Sequence, residues 1–165
     1  MNRHIAIYPG SFDPFTHGHM DIARRGLEVF DTVVIAVSNN SEKNSLFSVA
    51  ERAEMLTKLT ADNPRLRVET FDGLLVDYVV SKGARVILRG LRAVTDFEFE
   101  FQLAQMNHTI CQQVETLFMM TSPKFAYLSS SIVKEVGRLG GDISKFLPSL
   151  VKEELLKKYE QIENK

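Results

Sequence analysis

The chain of 165 residues has no tryptophan, one cysteine and no long apolar run, and each shortage removes a class of protein. Cys111 alone makes neither an intramolecular disulfide nor a multi-cysteine zinc site, so a disulfide-stapled secreted scaffold is excluded and a reducing compartment is expected. The longest apolar run near the start, Ile5 to Tyr8, falls far short of the ~20 residues of a membrane span. It is also too short for the apolar core of a signal peptide, which makes a cytoplasmic location with no membrane partner the expectation. Neither charge sign is in excess: 20 Lys and Arg face 21 Asp and Glu, for a net charge of −1 and a pI near 6.4. That balance argues against a nucleic-acid partner, yet it leaves room for a local basic cluster around a small phosphorylated ligand. No linker, low-complexity tract or repeat stands out between Met1 and Pro148. At roughly 150 residues per domain, residues 1–165 are expected to form one domain.

What the sequence does contain is alternation between short apolar runs and amphipathic stretches. Ile5–Tyr8, Thr32–Ser38, Leu66–Phe71, Arg85–Leu88 and Glu115–Thr121 read as buried strands. Between them, Met20, Ala23, Leu27 and Phe30 make one helical face, and Val49, Ala53, Leu56 and Leu59 another, opened by Ser48 and Glu51 in capping-box spacing. Leu74–Lys82 reads as a short helix stopped by Gly83, and Pro148 opens a last helix through Val151, Leu155, Tyr159 and Ile162. Phe97 to Phe101 alternates like a strand, but Phe97, Phe101, Ala104 and His108 also share a helical face with Asp96 placed to cap it; helix is the reading adopted. Strands alternating with helices imply right-handed crossovers and an α/β doubly wound, five-stranded parallel sheet, Rossmann-like, of order 3-2-1-4-5. Ligands of such sheets bind at the strands' carboxyl edge where the order reverses. The residues leaving the strands there are Pro9-Gly10-Ser11, Asn39-Asn40, Asp72-Gly73, Arg89-Gly90 and Ser122-Pro123.

Three stretches carry chemistry. Tyr8 to His19, YPGSFDPFTHGH, is neither a Walker A loop nor a GxGxxG fingerprint. Gly10 lets backbone approach a ligand, Ser11 supplies a hydroxyl, and Gly18-His19 open a helix whose free N–H groups attract anions. A plain turn, with Asp13 capping locally and both histidines exposed, is the alternative. Leu88 to Glu100, LRGLRAVTDFEFE, sets Arg89 and Arg92 around Gly90, a pairing able to clamp phosphate oxygens. Leu128 to Lys134, LSSSIVK, offers hydroxyls and backbone donors at another helix start. No Cys/His or Ser/His/Asp set suggests a covalent intermediate. Cys111 and His108 read as packing or helix-face residues, and Glu135 as a lesser candidate on the helix after the serines.

Thr16-His17-Gly18-His19 matches the (H/T)xGH motif of the nucleotidyltransferase superfamily, and LSSSIVK is similar to its ISSTxxR motif with Lys134 in the arginine's place. Together with LRGLRAVTDFEFE and the stretch LGGDISKFLP, from about Ile5 to Pro148, the chain resembles the bacterial phosphopantetheine adenylyltransferase family. That resemblance implies transfer of the adenylyl group of ATP to 4′-phosphopantetheine, giving dephospho-coenzyme A and pyrophosphate, with Mg²⁺ accompanying the triphosphate. It also implies a homohexamer and feedback inhibition by coenzyme A.

Carried over by position, the resemblance assigns Ser11, Lys43, Leu75 and Arg89 to phosphopantetheine. To ATP it assigns Ser11, Phe12, His19, Gly90, Leu91, Arg92, Glu100, and the run Phe125, Ala126, Tyr127, Leu128, Ser129, Ser130 and Ser131. His19, Lys43 and Arg92 are expected to stabilise developing charge, and no protein residue is expected to ligate metal. Phe99 and Phe125 stand where the family commonly has tyrosine and tryptophan. The alternatives are another enzyme of the superfamily, such as a nicotinamide-mononucleotide adenylyltransferase or a cytidylyltransferase, and a non-catalytic nucleotide sensor on the same fold.

Overall fold

A computed structural model describes residues 4–39 and 45–164, with Thr95 described by its backbone only. The elements run β1 (Ile5–Gly10), α1 (His17–Val29), β2 (Thr32–Ser38), α2 (Val49–Thr60), β3 (Leu66–Phe71), α3 (Leu75–Ser81) and β4 (Val86–Leu91). They continue with α4 (Val94–Ile110), β5 (Glu115–Met120), a 3₁₀ turn at Pro123–Phe125, α5 (Ser130–Arg138) and α6 (Ser149–Glu163). All strand pairs are parallel, in the order β3-β2-β1-β4-β5. The expected sheet is therefore the observed one.

Period two sorts the strand residues between two cores. Ala6, Tyr8, Val33, Ile35 and Leu88 face α1 and α2, while Ile7, Val34, Ala36 and Ile87 face α3. Each fully buried Ile or Leu here contributes roughly 1.5–3 kcal/mol. Gly26 lets α1 lie directly on the sheet, since a Cβ there would come within 2.8 Å of the Leu88 side chain. A third core, Phe47, Met55, Leu128, Val133, Ile143, Leu147, Val151 and Leu155, joins α2, α5 and α6.

Three boundaries differ from expectation. β1 runs on through Pro9 and Gly10, and β4 through Arg89, Gly90 and Leu91. The apolar runs end earlier because the strand tips carry the polar and glycine residues of the cleft, while the backbone ladder continues beneath them. Asp96 is not the cap of α4: the helix starts at Val94 with Ala93 as its cap residue, and the Asp96 carboxylate accepts from the Arg92 N–H instead. The Phe97–Phe101 segment is helical, with the Phe97 and Phe101 rings 5.6 Å apart, one turn along α4.

The sheet is continuous except in one respect that matters for function. β1 follows β2 as far as Gly10 and Val37, and β4 follows β5 as far as Leu91 and Met120. Between β1 and β4, however, only Ala6–Val86 and Ile7–Ile87 pair. The sheet thus splits at its carboxyl edge where the strand order reverses.

Candidate active site

The split opens into a cleft of about 760 Å³. It is walled by the β1–α1 loop, the end of β4, the first turns of α4 and the N-terminus of α5.

The β1–α1 loop is built around a strained aromatic. Phe12 is buried and adopts φ 49°, a left-handed conformation costing a non-glycine residue roughly 1–2 kcal/mol. Packing offsets that cost: its ring meets Tyr8 and His19 edge-on at 5.3 and 5.2 Å and Phe15 at 5.3 Å. Gly10 makes room for the ring, because a Cβ there would sit 2.8 Å from two of its carbons. The alternative of a plain turn does not hold. The Asp13 carboxylate reaches across the fold to accept the Leu46 and Phe47 N–H groups at 2.9 and 3.0 Å. His17 stacks on Phe125 at 6.1 Å.

His19 sits in the third helical position of α1, where it completes an unusual capping box. The Thr16 hydroxyl accepts the His19 N–H, and His19 Nδ1 accepts the Thr16 N–H at 3.0 Å. With Nδ1 as acceptor, the proton of the neutral ring resides on Nε2. Burial, reinforced by the Arg92 and Arg89 charges, pushes the pKa of His19 down to about 4. His19 is half-buried and lines the cleft, so near pH 7 its ring carries an uncharged N–H donor at the cleft wall.

The two arginines arrive with carboxylates from α4. Arg89 Nε donates to Glu100 at 2.6 Å, its Nη2 bonds the same carboxylate, and Nη1 donates to the Pro9 carbonyl at 2.8 Å. That last bond spans the split between β1 and β4. Burial opposes the Arg89 charge, but Glu100 outweighs it and the pKa rises. Arg92 grips Asp96 through Nε and Nη2 at 2.9 and 3.1 Å and donates from Nη1 to the Leu128 carbonyl at 2.8 Å. The Arg92 guanidinium holds the Asp96 carboxyl below the ordinary range. Asp96 and Glu100, one turn apart on α4, thus fix two guanidinium groups in preset orientations. Opposite them, Ser129 caps α5 by accepting the Ile132 N–H, and Ser130 donates to the Pro14 carbonyl at 2.7 Å. The first N–H groups of α5 form an anion-attracting end of the cleft.

Of the residues expected from sequence, Ser11, Phe12, His19, Leu75, Arg89, Gly90, Arg92, Glu100, Phe125, Leu128, Ser129, Ser130 and Ser131 line this cleft. Leu91, Ala126 and Tyr127 do not: Leu91 is buried at the end of β4, and Tyr127 is exposed, with its ring edge-on to Phe146. Lys43 lies outside the described residues. Sequence reasoning missed Tyr8, Thr16, Arg52 and Asp96, which also line the cleft. Tyr8 reads as the last residue of a strand although it opens the YPGSFDPFTHGH stretch, and Arg52 reads as an ordinary helix residue that no local motif marks. Thr16 and Asp96 carried a signal, a position three residues before a ring nitrogen and four after an arginine. Among the described residues, no group of three or more His, Cys, Asp or Glu could hold a metal ion, and no helix is long and apolar enough to cross a membrane.

Residues 7–136 match the family described as Cytidylyltransferase-like. A phosphopantetheine adenylyltransferase of Geobacter metallireducens is 62% identical over 159 residues, covering 96% of this chain and 98% of that protein. One of Geobacter sulfurreducens is 58% identical over 159 residues, covering 96% and 97%. One of Caldanaerobacter subterraneus subsp. tengcongensis is 51% identical over 157 residues, covering 95% and 98%. A split parallel sheet, a neutral histidine in the HGH segment and likeness to these relatives over nearly its whole length agree on one assignment: the chain belongs to the phosphopantetheine adenylyltransferase family.

Proposed function

We propose that this protein transfers the adenylyl group of ATP to 4′-phosphopantetheine, giving dephospho-coenzyme A and pyrophosphate in coenzyme A biosynthesis. The observation that carries the reading is the uncharged His19 ring, its Nδ1 engaged by Thr16, lining a cleft shared with Arg89, Arg92 and the N-terminus of α5. A phosphate oxygen of 4′-phosphopantetheine attacks the α-phosphorus of ATP in line. A new P–O bond forms as the bond to the bridging oxygen breaks, and pyrophosphate leaves with that electron pair. The attacking phosphate is already anionic, so no protein base is needed, and catalysis rests on positioning and charge stabilisation.

In this reading His19 donates to the negative charge developing at the α-phosphate and transfers no proton; its low pKa keeps it neutral across the working range. Arg92 and Lys43 share that charge. Arg89, with Ser11, Lys43 and Leu75, receives phosphopantetheine, while Phe12, Gly90, Glu100, Phe125 and Leu128 to Ser131 surround ATP. Mg²⁺ enters as part of the MgATP substrate, held by phosphate oxygens and water. The pairing of Asp96 and Glu100 to arginine supports that view, since neither carboxylate is left over as a ligand.

Coenzyme A, which contains the phosphopantetheine moiety, would compete for the same cleft as a feedback inhibitor. A homohexamer working in the cytoplasm completes the proposal. Val94, Phe97, Phe99, Met106 and Ile110 of α4 and Met120 at the sheet edge are all exposed, an apolar surface that supports self-association. Val94→Asp with Ile110→Asp, two positions outside the cleft, should lower the mass measured by sedimentation; an unchanged mass would place any interface elsewhere. Activity is tested by pyrophosphate release from MgATP with 4′-phosphopantetheine or, in parallel, nicotinamide mononucleotide. Release with the first alone is expected. Release with the second would reassign the substrate, and silence with both in a protein that binds ATP would make it a nucleotide sensor.

A further inference from the structure

Lys134 occupies the place of the superfamily arginine, yet it does not face the cleft. Its Nζ lies 2.7 Å from Oδ2 of Asp13, whose side chain is 7% exposed. The same Asp13 carboxylate accepts the Leu46 and Phe47 N–H groups. Four residues earlier on the same face of α5, Ser130 donates to the Pro14 carbonyl, so two adjacent loop residues are tied to one helix face. On its other side the Leu46–Ser48 backbone is held by Arg52, a buried guanidinium whose Nε donates to the Phe47 and Ser48 carbonyls at 3.2 and 3.3 Å. Arg52 Nη1 also donates to the carbonyls of Ser11 and Ser38.

The functional site has two walls that come from opposite ends of the chain: the loop leading to His19, and the N-terminus of α5 with Ser129 to Ser131. Ion pairing between Asp13 and Lys134 is the charged link between them. A buried carboxylate with three donors is satisfied, and removing Lys134 takes away the one cation bonded to it among the described residues, leaving Arg52 as a charge nearby without a bond to it there.

We propose that Lys134 is a positioning residue that, through Asp13, sets the N-terminus of α5 against the His19 loop, and that it makes no contact with substrate phosphate. The proposal rests on the adenylyltransferase reading for its kinetic consequences, though not for its geometry. Lys134→Met keeps the aliphatic stem and removes the charge, Lys134→Arg restores a cation, and Asp13→Asn with Lys134→Met removes both charges together.

The test combines initial rates of pyrophosphate release, calorimetric affinity for a non-hydrolysable MgATP analogue, and melting temperature. A positioning role predicts that Lys134→Met lowers kcat about tenfold or more while analogue affinity changes less than about threefold. Lys134→Arg should return kcat to within about threefold of wild type, and the double variant should be no slower than Lys134→Met. Tenfold weaker analogue binding with kcat preserved would make Lys134 a direct phosphate contact and overturn the proposal. Rates and affinities all within about twofold of wild type would overturn it as well. If Lys134→Met fails to fold, the double variant carries the same comparison, since it removes the buried carboxylate together with the cation bonded to it.

Should the wild-type protein release no pyrophosphate, the functional reading falls by itself. Hydrogen exchange then decides the proposal. Lys134→Met must speed exchange at the Leu46 and Phe47 amides about tenfold more than at the β1 core amides of Ala6 and Ile7, and exchange at Leu46 and Phe47 raised no more than in that core overturns it.

Discussion

Replacing His19 by alanine removes two functions that the structure assigns to different atoms of one ring. Nδ1 accepts the Thr16 N–H at 3.0 Å and so belongs to the start of α1. Nε2–H takes no part in that bond and, on a ring that lines the cleft, belongs to the chemistry. Loss of an oriented donor to developing oxyanion charge costs about 10²–10³ in kcat, or roughly 2.7–4 kcal/mol. Loss of half of the capping box costs about 0.5–2 kcal/mol of stability. His19→Asn separates the two, because its Oδ1 takes the place of Nδ1 as acceptor while the Nε2 donor is gone. The asparagine variant should therefore melt closer to wild type than alanine does, yet lose about as much kcat as alanine. Initial rates at saturating MgATP and 4′-phosphopantetheine, alongside thermal melts, provide the readout. A kcat for His19→Ala within about threefold of wild type, with only the KM for ATP raised, would refute the reasoning and leave a ground-state contact.

The pH dependence of stability follows from the same ring. His19 binds its proton in the unfolded chain near the ordinary 6.5 but in the folded protein only near 4, so the unfolded state holds more protons between those values. The stability present above pH 6.5 should fall as pH drops toward 4, by up to about 3 kcal/mol; His19→Gln should flatten that difference in urea unfolding, and identical slopes would contradict it. Gly10→Ala drives a methyl to 2.8 Å from the Phe12 ring, which should cost about 1–3 kcal/mol and lower kcat by shifting the ring that abuts His19. An unchanged melting temperature and kcat would show that the loop relaxes freely. Arg89→Ala should mainly raise the KM for 4′-phosphopantetheine; a selective loss of ATP affinity would overturn its role.

Strand order and helix identity were legible because they depend on local period and on a crossover rule. Five apolar runs separated by amphipathic stretches admit few topologies, and the order 3-2-1-4-5 is the one observed. Strand ends were not legible, since Arg89 and Gly90 belong to a backbone ladder with Phe118 and Met119 while their side-chain types signal a loop. The start of α4 failed for a related reason. Asp96 is a good capping residue by type, but a stronger partner, the Arg92 guanidinium, claims its carboxylate. At the site, contiguous motifs carried His19, Arg89, Arg92 and the serines of α5 to the cleft. What no local pattern revealed were bonds between residues far apart in sequence: Arg89 to the Pro9 carbonyl, Arg52 to Ser11, and Lys134 to Asp13. Departure of Lys134 from the superfamily pattern was visible, whereas its ion pair with the buried Asp13 carboxylate was not.

The central claim is direct adenylyl transfer between ATP and 4′-phosphopantetheine in this cleft, without a covalent enzyme intermediate. Exchange of labelled pyrophosphate into ATP, measured with and without 4′-phosphopantetheine, tests it most directly. Label should enter ATP only when 4′-phosphopantetheine is present. Exchange with enzyme and MgATP alone would reveal an adenylyl-enzyme, and no exchange with 4′-phosphopantetheine present would contradict the substrate.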